Sequence, residues 1–340
     1  MAHARFMDLS FRHAVEIRHD AAALDEPGVW VVVATFEGAL TCVRFAQAAP
    51  AVRPVARPVA RWVPLGGEWT SSLGAAAYQR GVQEVRRRVA AGTVYQVNLC
   101  RVLSQPLAAD ADLDALSLLL LRANPAPYAA RVHLPEASLD LVCASPEAFL
   151  LRAGDRLESR PIKGTAASVE AMLTKDYAEN VMIVDLVRND LSQVCRAGSI
   201  SVDALCAPEG HPGLVHLVSR VSGQLRPGAT WADILQASFP PGSVSGAPKS
   251  SALATIGDLE PVPRGPYCGA IGFVDNDRGR AELAVGIRTF WAEDDDQGRR
   301  WLRFGAGAGI TWGSEPAAEW AETELKAARL VGLASGRVRG

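Results

Sequence analysis

Apolar positions recur along this chain with two periods. Between residues 78 and 91, "YQRGVQEVRRRVAA" spaces Tyr78, Val82, Val85 and Val89 as one helical face, and Gly92 ends the run. The next segment, "TVYQVNLCRVLS", alternates as a strand does. Upstream, "GVWVVVATFEGALTCVRF" predicts two strands joined by a turn at Glu37-Gly38. The Pro-rich "APAVRPVARPVARWVPLGG" after it predicts an extended connector, with Arg53, Arg57 and Arg61 as solvated linker charges. Downstream come a helix over "LDALSLLLLRA" and strands near "YAARVHL" and "LDLVCAS". "AFLLRAGDRLESRPIKG" follows as a hairpin turning at Ala153-Gly154-Asp155, which puts Lys163 near the end of a strand.

Two longer helices are expected. One runs from about Thr174 through "KDYAENVMIVDLVRNDLSQVC" and stops by Gly198, and the other follows Ser314 through "EPAAEWAETELKAARLVGL". Between them "GLVHLVSRVSGQL", "YCGAIGFVD", "AELAVGIRTF" and "RRWLRFGAG" read as strands. Strands outnumber helices and neighbouring ones look antiparallel, so the fold class is α+β. Residues 1–66 form a short strand region and linker of the same fold as 67–340, with no internal repeat.

Composition narrows the function. The 340 residues are 49% hydrophobic, enough for a sizeable core, and the net charge of -2 offers no global attraction to nucleic acid or an anionic membrane. The six cysteines, at 42, 100, 143, 195, 206 and 268, form no CxxC pair and read as reduced thiols of a cytoplasmic protein. Charges interrupt every apolar stretch of the first twenty residues, which argues against a signal peptide, and Leu118 to Leu121 is too short to span a bilayer. "GSVSG" has Val244 where a nucleophile elbow needs Ser, and "GSVSGAPKS" lacks the adjacent Gly-Lys of a P-loop. "GAGAG" lacks the GxGxxG spacing of a dinucleotide site.

The carboxylates are more informative. Asp176 and Glu179 share a face at the start of the first long helix, and Glu319 and Glu322 do so near the start of the second. Four oxygen donors in two pairs suit Mg²⁺, which keeps several waters and takes only one or two carboxylates plus substrate oxygens. Read alone, each pair is also what the helix dipole favours in a first turn, and Glu322 has Lys326 one turn on.

The surrounding motifs decide between these readings. "VYQVNLCR", "SPEAFL", "SRPIKGT", "DYAENVMIVDLVRNDLSQVC", "HLVSRVSG", "FPPGSVSGAPK", "YCGAIGF", "AVGIRT" and "GAGIT...SEPAAEWAETELKA" occur in this order. Over about residues 70 to 332 the chain closely resembles the chorismate-utilising enzymes, whose members make anthranilate, aminodeoxychorismate, isochorismate or salicylate. The resemblance implies antiparallel β-sheets packed together with flanking helices, as in anthranilate synthase component I.

It also implies roles for particular residues. Glu179 and Glu322 match the direct Mg²⁺ ligands, with Asp176 and Glu319 holding metal-bound waters; Asp176 is shorter than the glutamate usual there. Tyr267 and Arg288 match the pair that grips the enolpyruvyl carboxylate, helped by backbone N–H groups around Gly307 and Gly309. His216, Thr165, Gly164 and Ser243 match positions lining the ring, and Lys249 of "GAPK" matches a position that contacts a carboxylate. Without that context His216 is an ordinary core histidine, Arg288 a strand cation and Tyr267 a packing residue. Glu147 of "SPEAFL" matches the general acid for the leaving hydroxyl, a role that needs its carboxyl protonated near neutral pH.

Two positions distinguish members of the family. Water-adding relatives carry a general-base lysine where this chain has Gln96, so water addition is disfavoured. Anthranilate synthases typically read "PIAGT", whereas the lysine of "PIKGT", here Lys163, resembles aminodeoxychorismate synthases and implies a covalent nucleophile. The expected reaction is therefore amination of chorismate. With no glutaminase-like region in the sequence, a separate glutamine amidotransferase subunit is expected to supply ammonia. Anthranilate formation and a non-catalytic chorismate-binding subunit are the alternatives. The "LLES"-like stretch tied to tryptophan feedback is missing from the first 70 residues, which makes that regulation unexpected.

Overall fold

The computed structural model describes residues 1–51, 61–166, 168–172, 174–211 and 214–338, with every side chain among them except those of Thr165, His211 and Leu214. Arg53 and Arg57 of the connector lie outside the described residues. The first half contributes β1 (His3–Phe6), β2 (Leu9–Arg18), β3 (Val29–Ala34), β4 (Leu40–Pro50), β5 (Thr70–Ser71), α1 (Ala75–Ala90), β6 (Gln96–Pro106), α2 (Leu113–Ala123), β7 (Tyr128–Leu134), β8 (Leu139–Ser145), β9 (Ala148–Ala153) and β10 (Arg156–Arg160). The second half contributes β11 (Ile162–Ala166), α3 (Thr174–Ser192), β12 (Ser201–His211), β13 (Leu214–Gln224), α4 (Trp231–Ser238), α5 (Gly242–Ser245), β14 (Gly246–Ala247), α6 (Lys249–Leu259), β15 (Ala270–Asp275), β16 (Arg280–Val285), β17 (Thr289–Asp294), β18 (Arg300–Ile310) and α7 (Pro316–Ala334).

These strands pair antiparallel in one unbroken ladder, β12-β13-β10-β9-β16-β15-β3-β4-β2-β1-β7-β8-β17-β18-β6. β11 also joins β13, and β14 and β5 join β6. Strands near the N-terminus are thus hydrogen-bonded into the rest of the fold, β1 on β7 and β3 on β15. One large apolar cluster runs from Phe11 and Trp30 through Leu99 and Ile183 to Ile271. A smaller one gathers Leu116, Phe290, Phe304 and Leu330 under α2 and α7.

The α+β expectation holds, and the helix over 113–123 falls where its periodicity places it. Three elements differ. Pro161, which has no N–H to give a ladder, separates β10 from β11, so Lys163 is the second residue of a new strand. "AELAVGIRTF" is two strands, because Gly286 runs so close to the Pro266 carbonyl that a Cβ would stand 2.1 Å from it, and Arg288 then turns at φ 55. The first long helix stops at Ser192. β12, α4 and α6 were not separated by the apolar pattern, and α4 carries a capping box between Thr230 and Asp233.

Among the described residues no helix is long and apolar enough to cross a membrane, and all six cysteines are free.

Candidate active site

The site forms where α3 and α7, packed on different strands, bring acidic side chains within electrostatic reach of one another. α3 packs on β11, β12 and β13, and α7 packs on β18 and α1. β11 supplies Lys163, whose Nζ donates to the Ser243 carbonyl at 2.8 Å. The ladder puts Thr165 opposite His216 on β13; the Thr165 side chain lies outside the described set, and His216 is 7% exposed.

Gly164 is required by geometry. It sits at φ +74, and a Cβ there would stand 2.8 Å from the Asp176 Cβ, so the first turn of α3 lies directly on this strand. Asp176 and Glu179 are thereby brought beside Lys163.

Glu147 precedes β9 and is 4% exposed. Its carbonyl accepts from Val285, and Ser145 Oγ caps its N–H, so its backbone is held on both sides. Burial pushes its carboxyl up to about 7, while a hydrogen bond from Ser243 and the charges of Lys163 and Lys326 restrain the rise. Ser243 therefore touches both groups, with its carbonyl on Lys163 and its hydroxyl on Glu147.

Arg264 holds that segment in place. Its guanidinium is fully buried against Glu260 at 2.6 Å, donates to the carbonyls of Val244 and Asn98, and lies 4.1 Å over the Phe36 ring. It pins the turn after Ser243 to β6, next to Gln96.

Glu179, Glu319 and Glu322 lie close enough to act on one another's charge, and Asp176 sits one turn before Glu179 against Gly164. Burial raises Glu179, with Glu322 and Glu319 adding to the rise and Lys163 and Lys175 opposing it. Burial also raises Glu319, with Glu322 contributing. Burial works on Glu322 in the same direction, but Lys326 overrides it and the net movement is downward. Lys163 favours the ionised form of Glu147, Glu179 and Glu322 alike, so it stands between the lone acid and the acid cluster. Hard carboxylate oxygens on two converging helices, with net repulsion among them, fit Mg²⁺. Among the described residues no three His, Cys, Asp or Glu groups close into a ligand set. An ion that keeps most of its waters does not require one.

Tyr267 lies near enough to Arg288 to act on its charge. Burial lowers Arg288 from its ordinary value and Tyr267 acts against that. The Tyr267 ring lies on Gly305, where a Cβ would stand 2.1 Å from the ring. Arg288 adopts a left-handed backbone, rare for a side chain this large and the kind of strain found at functional sites. On β18, Gly309 leaves room for Gln96, since a Cβ would stand 2.3 Å from Gln96 Nε2 and 3.5 Å from Glu179 Oε2. Gln96 is 1% exposed and its Oε1 has no hydrogen-bond partner among the described residues. A buried acceptor left unpaired carries a desolvation penalty that a bound donor relieves.

Lys249 stands apart. The carboxylate it meets is the protein's own, Asp190 Oδ2 at 2.9 Å, and its second acceptor is the Ser238 carbonyl. Conversely, sequence reasoning treated Lys326 only as a partner of Glu322. That ion pair exists at 2.6 Å, but Lys326 also donates to the Gly307 carbonyl, and its own carbonyl accepts from Arg288. The i,i+4 spacing signalled the pair; nothing local signalled the reach to β18.

A family model for chorismate-binding enzymes matches residues 6–332. The chain belongs to the chorismate-binding enzyme family. It is 37% identical over 287 residues to aminodeoxychorismate synthase component 1 of Klebsiella aerogenes, covering 81% of this chain and 61% of the relative. It is 38% identical over 267 residues to anthranilate synthase component 1 of Streptomyces coelicolor, covering 75% of this chain and 50% of the relative. The chain thus spans half to three-fifths of the length of these curated members.

Two solved members share the fold. Anthranilate synthase component I of Streptococcus pneumoniae aligns at TM-score 0.80 and 20% identity, over 97% of this chain and 92% of that one. The menaquinone-specific isochorismate synthase of Escherichia coli aligns at TM-score 0.80 and 18% identity, over 98% and 89%.

Proposed function

We propose that this chorismate-binding enzyme aminates chorismate at C4, giving 4-amino-4-deoxychorismate, with ammonia delivered by a separate glutamine amidotransferase subunit. The observation that carries the reading is the placement of Lys163. Its amine lies on Ser243, beside a buried carboxyl that burial pushes up to about 7 and beside the acid cluster.

In this reading Arg288 and Tyr267 hold the enolpyruvyl carboxylate, the guanidinium offering two parallel N–H donors. Lys163 attacks C2 as the free amine while Glu147 gives its proton to the C4 hydroxyl, which leaves as water, and the double bonds shift. Ammonia then attacks C4, the double bonds return, and the C2–N bond breaks to release Lys163. Asp176, Glu179, Glu319 and Glu322 would hold Mg²⁺, which when bound supplies positive charge for the ring carboxylate. Gln96 carries no base to activate water, which favours ammonia as nucleophile.

A second reading is anthranilate formation, supported by the 38% identity to the Streptomyces coelicolor relative. Incubating the full chain with chorismate, Mg²⁺ and ammonium in place of the partner subunit, then weighing the product, separates the two. 4-Amino-4-deoxychorismate is expected, and anthranilate in its place would contradict the first reading.

A further inference from the structure

Lys249 opens α6, and both of its acceptors, Asp190 and Ser238, are buried. The same two residues line a cavity of about 20 Å³ whose other polar walls are Glu147, Ser243 and Ser159. Its remaining lining is largely apolar and includes Phe149, Val187 and Leu191. One water needs roughly 10–15 Å³ of such space and two to four polar partners, and this cavity offers both. It lies between the partners of Lys249 and the residue read above as the acid.

We propose that a buried water in this cavity connects Asp190 to Glu147, and that the Asp190–Lys249 pair returns to Glu147 the proton it gives up in each turnover. The proposal rests on the reading of Glu147 as the acid for the leaving hydroxyl.

The proton count closes without an outside reagent. Glu147 transfers its proton to the C4 oxygen, which departs with the C–O electron pair as water, and a carboxylate remains at 4% exposure. Asp190 takes a proton from Lys249 across their 2.9 Å hydrogen bond and passes it to the water, which hands one of its own to Glu147. Lys249, whose side chain is 19% exposed, recovers a proton from solvent. Burial raises Asp190 against the pull of Lys249, which suits a carboxyl that must carry a proton briefly. The charged groups facing Glu147 itself, Lys163 and Lys326, both favour its ionised form, so the proton has to be resupplied. The pair acts through Glu147 and does not touch substrate.

The test compares the parent with Asp190→Asn, Lys249→Met and Ser159→Val, the last of which fills the cavity and leaves the ion pair intact. Each is assayed on chorismate with Mg²⁺ and ammonium, in H₂O and in D₂O, with Glu147→Gln alongside. The relay predicts a loss of about tenfold or more in kcat at unchanged KM for chorismate. It also predicts a solvent deuterium isotope effect on kcat above the parent's, because proton return becomes rate-limiting. Parental kcat, or a loss with an unchanged isotope effect, overturns the relay. If these variants behave as the parent while Glu147→Gln is inactive, the relay alone fails. If Glu147→Gln retains parental turnover, or the parent leaves chorismate untouched, the reading of Glu147 fails and the relay with it.

Discussion

Lys163 and Glu147 are joined through one residue, Ser243, whose backbone carbonyl accepts from the Lys163 amine at 2.8 Å and whose hydroxyl binds the Glu147 carboxyl. In the proposed amination, the nucleophile and the acid that act on C2 and C4 of one ring are thereby held on a common support. That support is fixed in turn by the buried Arg264 guanidinium.

Glu147→Gln is expected to lower turnover by about 100-fold or more, the usual scale for a lost general acid. It should also change stability in a pH-dependent way. A carboxyl held up to about 7 binds its proton more tightly in the native state than in the unfolded chain. Its stabilising contribution is therefore complete below the ordinary carboxyl range and is lost as pH rises through about 7, with a ceiling of about 3 kcal/mol. Glutamine cannot ionise, so the melting temperature of the variant should gain on the parent between pH 5 and pH 8. An equal difference at both pH values would contradict the raised carboxyl.

Gly164→Ala should act through the metal acids. The new Cβ meets Asp176 at 2.8 Å on a left-handed backbone, so the first turn of α3 has to move. The Mg²⁺ concentration giving half-maximal rate is expected to rise about tenfold, since sub-ångström misplacement of ligands is costly. An unchanged Mg²⁺ titration would show that Asp176 does not serve the ion.

Gln96→Lys supplies the base that the parent lacks. Amination should fall and a water-derived product, isochorismate, should appear by chromatography and mass. Undiminished amination with no such product would remove Gln96 from nucleophile choice.

Arg288→Lys keeps the charge and loses the two-pronged donor. KM for chorismate should rise about tenfold or more while kcat changes less, as expected for loss of a bidentate carboxylate contact. A fall in kcat at constant KM would place Arg288 elsewhere in the reaction.

Much of this site was legible because its parts are local. The helix over 113–123, the acid pairs three residues apart and the strand containing His216 all follow from short-range periodicity. What was not legible depends on long-range approach. Arg288 was placed in a continuous strand because no apolar alternation reveals that Gly286 presses on the Pro266 carbonyl. The sequence likewise does not show that Asp190, 59 residues before Lys249, lies 2.9 Å from its ammonium. The roles of Gly305 and Gly309 likewise come from Tyr267 and Gln96 packing against them across the fold.

The proposed amination rests on Lys163 as its covalent nucleophile. Its most direct test is the rate at which Lys163→Ala converts chorismate, with Mg²⁺ and ammonium, to a product identified by mass. The parent should yield 4-amino-4-deoxychorismate and the variant essentially none. The same product from the variant at the parental rate would exclude Lys163 as the nucleophile.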